Sequence, residues 1–383
     1  MSRKKGKSER RVQNWGRRYA SGERVEDEAP SRQKTTQRKV KIPTSRLDAP
    51  QENLEFLPKG EGMIVGNFPG GVVVHMISPT GGAPVVPGKD ILCSVAKTFR
   101  APPGSTPLTV GDHVTVALAQ HSGASSQGDK VRADGMVLAR GPRRSALCRP
   151  QIVSGKRHDE YEHETIEKVL VANMDAMVIV ASTVQPPLRF GPVERFLIVA
   201  ERGELAPILA VNKIDLAAPD EAILGVFRDM GVAIVPCSAV TGAGLEELRA
   251  RLDGKQSVLA GASGVGKSTL VNAVVPGARA VTREIRAKDD RGRHTTSAAS
   301  VYELPGGGLL VDTPGVREIG LHVTAEELPW YFPEFEPFLP RCKFRDCTHT
   351  HEPDCAVQAA VEEGAIPARR YESYLRILES LEE

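Results

Sequence analysis

The run Gly261-Ala262-Ser263-Gly264-Val265-Gly266-Lys267-Ser268-Thr269 sets close-spaced glycines beside a lysine and two hydroxyls. That set is suited to holding a polyphosphate. Glycine lets the backbone wrap tightly, so that consecutive N–H groups and the start of the next helix face the anion. Lys267 is expected to reach the β- and γ-phosphates, and the Ser268 hydroxyl to ligate magnesium.

Asn212-Lys213-Ile214-Asp215 says which base is read. A carboxylate at the base edge accepts from both N1–H and the 2-amino group of guanine. Adenine lacks that donor pair and would leave the carboxylate unpaired in a dry site. Asp215 takes this role. Asn212 is expected to bond N7 and brace the phosphate loop, and the Lys213 stem to cover a ring face. Ser238-Ala239 fits the loop whose backbone N–H meets the guanine oxygen.

Asp312-Thr313-Pro314-Gly315 reads as the second magnesium and γ-phosphate element, Asp312 acting through water and Gly315 through its N–H. Between the two phosphate elements, Arg291-Gly292-Arg293-His294-Thr295-Thr296 is a polar segment. Either Thr295 or Thr296 would complete the magnesium shell, making a switch ordered only by GTP. Ras-like enzymes carry a glutamine after the Asp-x-x-Gly element to orient the attacking water. Here Val316 follows Gly315, and an apolar side chain cannot do that. Slow intrinsic hydrolysis is expected, with His294 or a partner supplying the missing group. The catalytic step is thus expected to rest on His294, Lys267, Thr295 and Thr296.

A separate chemistry lies near the C-terminus. Cys342-x4-Cys347-x-His349-x5-Cys355 offers three thiolates and an imidazole, a donor set that selects zinc. Four protein ligands leave no open position, so one structural zinc per chain is expected, stapling a loop-rich segment. His351 is an alternative ligand.

The elements that must position these groups are legible in the hydrophobic pattern. Five β-rich runs, Met63–Val65, Gly71–Met76, Ile91–Val95, His113–Leu118 and Gly135–Arg140, predict a small barrel of the OB type. Such barrels often bind single-stranded nucleic acid. Arg140, Arg143, Arg144 and Arg149 form a basic edge where it ends, read equally as a solvated face or an RNA contact. From Ile166 onward, apolar strands alternate with helical spacing. Ala176–Ala181, Pro207–Val211, Ala233–Pro236, Ser257–Ala260 and Gly308–Val311 predict a doubly wound α/β sheet with its functional groups at the strand C-terminal ends. Arg369–Leu381 predicts an amphipathic terminal helix burying Tyr371, Tyr374, Leu375, Leu378 and Leu381.

Bulk properties bound the classes. The 383 residues suffice for two or three domains, and the +2 formal charge conceals an asymmetry. Residues 1–46 hold fifteen Lys or Arg against five Asp or Glu, whereas the remainder holds 35 against 43. A basic head on an acidic body points to a polyanionic partner. Its composition predicts disorder when free, with Trp15 and Tyr19 among arginines able to stack on bases. The cysteines do not form a secreted disulfide pattern. No apolar run approaches the ~20 residues that span a bilayer, so a reducing cytoplasm and no membrane partner are expected. Four regions follow: a basic extension (1–56), an OB-fold barrel (57–150), a GTPase domain (151–322) and a zinc-binding α-rich domain (323–383).

The order of the motifs is that of a circular permutation, because the guanine tetrad and Ser-Ala precede the phosphate loop. The exchanged ends lie at the surface, where such a change is tolerated. The segment after Gly315 then leads directly into the C-terminal region, so that γ-phosphate sensing can pull on it covalently.

The N-terminal barrel, N-K-I-D before G-A-S-G-V-G-K-S, then G-R-H-T-T, D-T-P-G and C-K-F-R-D-C-T-H together resemble the RsgA (YjeQ) family, ribosome small-subunit-dependent GTPases. The likeness runs from about residue 57 to the C-terminus. The basic head is longer than expected for that family. Ser297 stands where the family often has a third threonine, which favours Thr295 or Thr296 as the magnesium ligand. GTP/GDP, magnesium and zinc are the cofactors expected from the residues, and nothing in the sequence suggests a dimer, so a monomer is expected. The resemblance implies a late-acting assembly factor. Its partners would be the 30S subunit and its 16S rRNA near the decoding region, with hydrolysis stimulated by the subunit and coupled to release. Two other readings keep the phosphate loop. One is a small-molecule kinase, against which the guanine tetrad argues. The other is an RNA-binding scaffold whose guanine nucleotide is structural and rarely hydrolysed, which Val316 keeps open.

Overall fold

Alternating apolar residues between residues 59 and 140 do form a closed barrel. In the computed structural model its strands are β1 (Lys59–Phe68), β2 (Gly71–Thr80), β3 (Asp90–Val95), β4 (His113–Leu118) and β5 (Gly135–Arg140). The model describes residues 57–382 apart from 69–70, 81–87, 97–98, 102–105, 119–132, 155–162, 276–298, 314–320 and 322. The basic head therefore lies outside the described residues, and all that follows belongs to one unit, Ile42–Glu383. The barrel order is β1-β2-β3-β5-β4, with β4 closing on β1. Only the β3–β5 pairing is parallel, which gives the five-stranded Greek-key arrangement of an OB-fold, here closed. Period-2 alternation turns Ile64, Val72, Val74, Met76, Cys93, Val116 and Val137 inward.

Next comes an antiparallel ribbon, β6 (Ala146–Ser154) and β7 (His163–Ala172), which the hydrophobic pattern had not indicated. Pro150 and the charged Glu164, Glu167 and Lys168 mask it, because an edge ribbon tolerates both. Part of the basic edge is spent internally. Arg143 grips the fully buried Asp112 with two bonds of 2.7 and 2.8 Å, and Arg144 reaches Asp175 at 2.6 Å. A guanidinium already matched to a buried carboxylate is not available to a phosphate backbone.

The α/β region has six strands, β8 (Ala176–Ser182), β9 (Ala206–Asn212), β10 (Ala233–Pro236), β11 (Gln256–Ala260), β12 (Ser300–Glu303) and β13 (Leu309–Asp312). Their order is β10-β9-β8-β11-β13-β12, all parallel except the β12 edge. Helices α1 (Phe190–Arg202) and α2 (Glu221–Asp229) cover one face, and α3 (Leu245–Leu252) and α4 (Lys267–Val274) the other. Along β8, Met177, Ile179 and Ala181 face the first pair of helices, and Ala176, Val178 and Val180 the second. Covering both faces is why these strands read as unbroken apolar runs. The chain runs outward from β8 to β10, then returns to the centre at β11. The crevice beyond the C-terminal ends of β8 and β11 is therefore the switch point where open α/β sheets bind ligands.

The C-terminal region comprises 3₁₀ turns at Leu328–Tyr331 and Leu339–Arg341, then α5 (Ala356–Glu362) and α6 (Ala368–Glu382). Phe332, Phe335 and Tyr374 pack as a fully buried aromatic knot, and Tyr374 and Leu378 face inward as the helical period requires. Leu375, Tyr371 and Leu381 are only half-buried, and Ile377 joins the core instead. Arg370, on the same helix, is buried as well. It bonds Glu194 of α1, and donates to Glu334 at 2.7 Å, while Arg369 lies 4.2 Å above the Phe190 ring. This clamps the C-terminal region to the α/β region. Removing one partner leaves an uncompensated buried charge, so Arg370→Ala should cost about 3–5 kcal/mol in denaturant unfolding. Arg376→Ala, on an exposed pair, should cost less than about 1 kcal/mol. Equal effects would deny the clamp its importance. Among the described residues no helix is long and apolar enough to cross a membrane.

Candidate nucleotide site and cysteine cluster

The phosphate loop leaves β11 at Ala260 and turns into α4 through three positive-φ glycines, Gly261, Gly264 and Gly266, of which the first and last are also hemmed in. Gly261 has φ 134°, and a Cβ there would stand 2.3 Å from the Val180 carbonyl oxygen on β8. Gly266, with φ 93°, caps α4, and a Cβ there would stand 2.5 Å from Asn212 Nδ2. No other residue fits either place. Lys267 is buried, its ammonium donating to the carbonyls of Gly261 at 2.7 Å and of Ala262. Ala262, Ser263, Gly264, Ser268 and Thr269 are exposed along the loop and first helical turn, and Val265 anchors it in the core.

Asn212, at the end of β9 and 2 % exposed, ties three segments together. Its Nδ2 donates to the Val265 carbonyl at 3.0 Å, and its Oδ1 accepts from the Ala239 N–H at 3.0 Å. Lys213 has φ 67° and donates from Nζ to Gly264 at 2.8 Å and Gln185 at 2.5 Å. Asp215 is exposed and accepts from the Ser238 hydroxyl at 2.5 Å, while Ser238 Oγ accepts in turn from the Thr241 N–H at 3.1 Å. Asn212, Lys213, Asp215, Ser238, Ala239 and the phosphate loop thus meet in one place. Asp312 ends β13 in register with Leu259 of β11, so both strands open on the same sheet edge. Gly315, Val316, His294, Thr295 and Thr296 lie outside the described residues.

Sequence reasoning missed one wall of this site. The loop after β8 lies against it, Thr183 Oγ1 donating to the Lys213 carbonyl at 2.8 Å and Gln185 receiving Lys213. The available signal was a hydroxyl pair, Ser182-Thr183, at the end of a fully buried strand. It also missed Arg249 of α3, whose Nε donates to the Val274 carbonyl at the end of α4 at 3.0 Å.

In the C-terminal region the ligating atoms of Cys342, Cys347, His349 and Cys355 all lie within 4.8 Å of one another. His349 Nδ1 is 3.4 Å from Cys355 Sγ and 3.6 Å from Cys342 Sγ, and the ring is buried. His351 stands apart, exposed, its Nδ1 bonded to Thr350 Oγ1 at 2.8 Å. The supporting bonds explain the choice. Tyr371 and Tyr374 of α6 donate to the carbonyls of His349 at 2.6 Å and Thr348 at 2.7 Å, fixing that turn. Glu352 accepts from Thr348 N–H and Oγ1 and from Thr350 N–H. Burial alone would raise its pKa, but these bonds hold the carboxyl well below the usual carboxylate range. Desolvation pushes the Cys347 thiol up to about 12 and the His349 imidazole down. A divalent cation among the four reverses that penalty, and three sulfurs with one nitrogen fit tetrahedral zinc.

Comparisons with known proteins agree with this geometry. The RsgA GTPase family model matches residues 141–322. The small ribosomal subunit biogenesis GTPase RsgA of Shewanella oneidensis is 40 % identical over 302 residues, covering 77 % of this chain and 79 % of that one. The protein of the same name from Chlorobaculum parvum is 39 % identical over 317 residues, covering 82 % and 98 %. Among solved structures, YjeQ from Thermotoga maritima superposes with a TM-score of 0.61 at 31 % identity, over 84 % of this chain and 98 % of that one. YloQ, described as a circularly permuted GTPase, gives 0.57 at 27 % identity, over 85 % and 95 %. With the guanine-type loops preceding the phosphate loop in sequence yet joined to it through Asn212, the chain belongs to the RsgA family of circularly permuted GTPases.

Proposed function

We propose that the protein binds GTP at this crevice, hydrolyses it to GDP and phosphate, and acts in the maturation of the small ribosomal subunit. The observation that carries the reading is the Asn212 bridge, which holds the Ser238-Ala239 loop and the phosphate loop at a set separation. Asp215 reads the guanine edge with Ser238 steadying its carboxylate. Lys267 trades its loop carbonyls for phosphate oxygens. Ser268, Asp312 and either Thr295 or Thr296 would hold magnesium, which supplies charge neutralisation at the triphosphate. The Gly315 N–H marks the γ-phosphate.

Val316 cannot orient water, so turnover by the chain alone is slow, and His294 or the subunit completes the site. Zinc at Cys342, Cys347, His349 and Cys355 is structural. The barrel (57–150) and the basic head (1–56) engage 16S rRNA of the 30S subunit, and hydrolysis in 151–322 couples to release through 323–383. The protein works as a cytoplasmic monomer.

GTP turnover with and without purified 30S subunits tests this. The subunit should raise the rate by well over about tenfold. No stimulation would favour the scaffold reading that Val316 keeps open, and phosphate appearing on a metabolite would favour a kinase. His294→Ala hydrolysing as fast as the parent on the subunit would exclude His294 from positioning water.

A further inference from the structure

The phosphate loop runs into α4, which has only eight residues, Lys267 to Val274. Helices this short are marginal on their own, and their last carbonyls need partners. No glycine closes α4. Its C-cap is Val275 at φ −113°, ψ 87°, with a single backbone bond from Val275 N–H to the Val271 carbonyl. A neighbouring helix supplies the closure instead. Arg249, in the last turn of α3, donates Nε to the Val274 carbonyl at 3.0 Å and Nη2 to the Ala273 carbonyl. The apolar faces of the two helices pack together through Leu245, Leu248 and Leu252 against Leu270, Val271 and Val274.

A guanidinium at this end meets the negative pole of the helix, and the opposite pole carries Lys267 and Ser268. Arg249 is thus placed to hold the axial position of the helix whose first turn would face a metal-bound triphosphate. Without it α4 can slide or fray, and the Ser268 hydroxyl in its first turn would shift with it.

We infer that Arg249 is a positioning residue for magnesium-dependent nucleotide binding, acting through α4 and touching neither ligand nor metal. The inference rests on the reading of Ser268 as a magnesium ligand. The test measures dissociation constants of fluorescent GDP and of a non-hydrolysable GTP analogue, with magnesium and with EDTA, on the full chain. Variants are Arg249→Lys, Arg249→Gln and Arg249→Ala, with Arg251→Ala as a surface control on the same helix; thermal unfolding is recorded in parallel.

For Arg249→Ala or Arg249→Gln, the tightening that magnesium gives should shrink by about tenfold, with affinity in EDTA changing far less. Arg249→Lys, keeping the charge but only one of the two bonds, should recover part of it, and Arg251→Ala should match the parent. A fall in Tm with parental magnesium tightening in both variants would make Arg249 a mere helix cap and overturn the inference. A parent protein that binds equally with magnesium and EDTA would instead overturn the Ser268 assignment beneath it.

Discussion

Lys267→Ala is expected to abolish measurable GTP and GDP binding, and Asp215→Asn to weaken GDP by at least about 100-fold while admitting xanthine nucleotides. The first follows from burial. Lys267 sits almost wholly inside the loop, so its removal subtracts a desolvated cation from a site built for a polyanion and leaves the Gly261 carbonyl without its donor. Hydrogen bonds to charged groups are worth about 1.5–3 kcal/mol each, and the phosphates would lose several. The second follows from donor matching. In the proposed site Asp215 would accept twice from guanine, whereas an amide at that position would donate once, which suits the 2-oxo group of xanthine. Titration with fluorescent GDP and XDP reads both. A variant that still prefers GDP, with parental affinity, would remove Asp215 from base recognition and the guanine assignment with it.

Metal removal should produce the other large effect. Chelation, or Cys347→Ser, is expected to lower Tm on the order of 10 °C, as loss of several kcal/mol would in a chain of this size. Nucleotide affinity should stay unchanged, because the cluster belongs to the Phe332–Phe335–Tyr374 core and the nucleotide loops do not. Metal analysis of the purified chain should find one zinc. His349→Ala should lose it and His351→Ala should keep it, since only His349 lies among the sulfurs. A His349→Ala chain that retains a full equivalent would refute the ligand set.

These two expectations draw on different levels of the molecule. The five barrel strands, the α/β alternation and the phosphate loop were legible because each depends on local signals. Residues such as Gly261 and Gly266 adopt backbone conformations closed to other side chains, and a period-2 run such as Ile91–Val95 buries Ile91 and Cys93 on one face. The β6–β7 ribbon was not legible, because a strand pairing at a charged edge leaves no such trace.

The sequence by itself determined the kinds of chemistry available: a glycine-rich phosphate loop, an N-K-I-D tetrad with its carboxylate and a four-member sulfur–nitrogen set, in a permuted order. Only the tertiary structure decided which groups are spent on one another. Arg143 goes to Asp112, Arg370 to Glu194 and Glu334, Arg249 to the end of α4, and His349 rather than His351 to the thiols. The physical reason is that a charge or imidazole acts at hydrogen-bonding distance, and packing alone sets which residues, up to 176 positions apart in the chain, come that close.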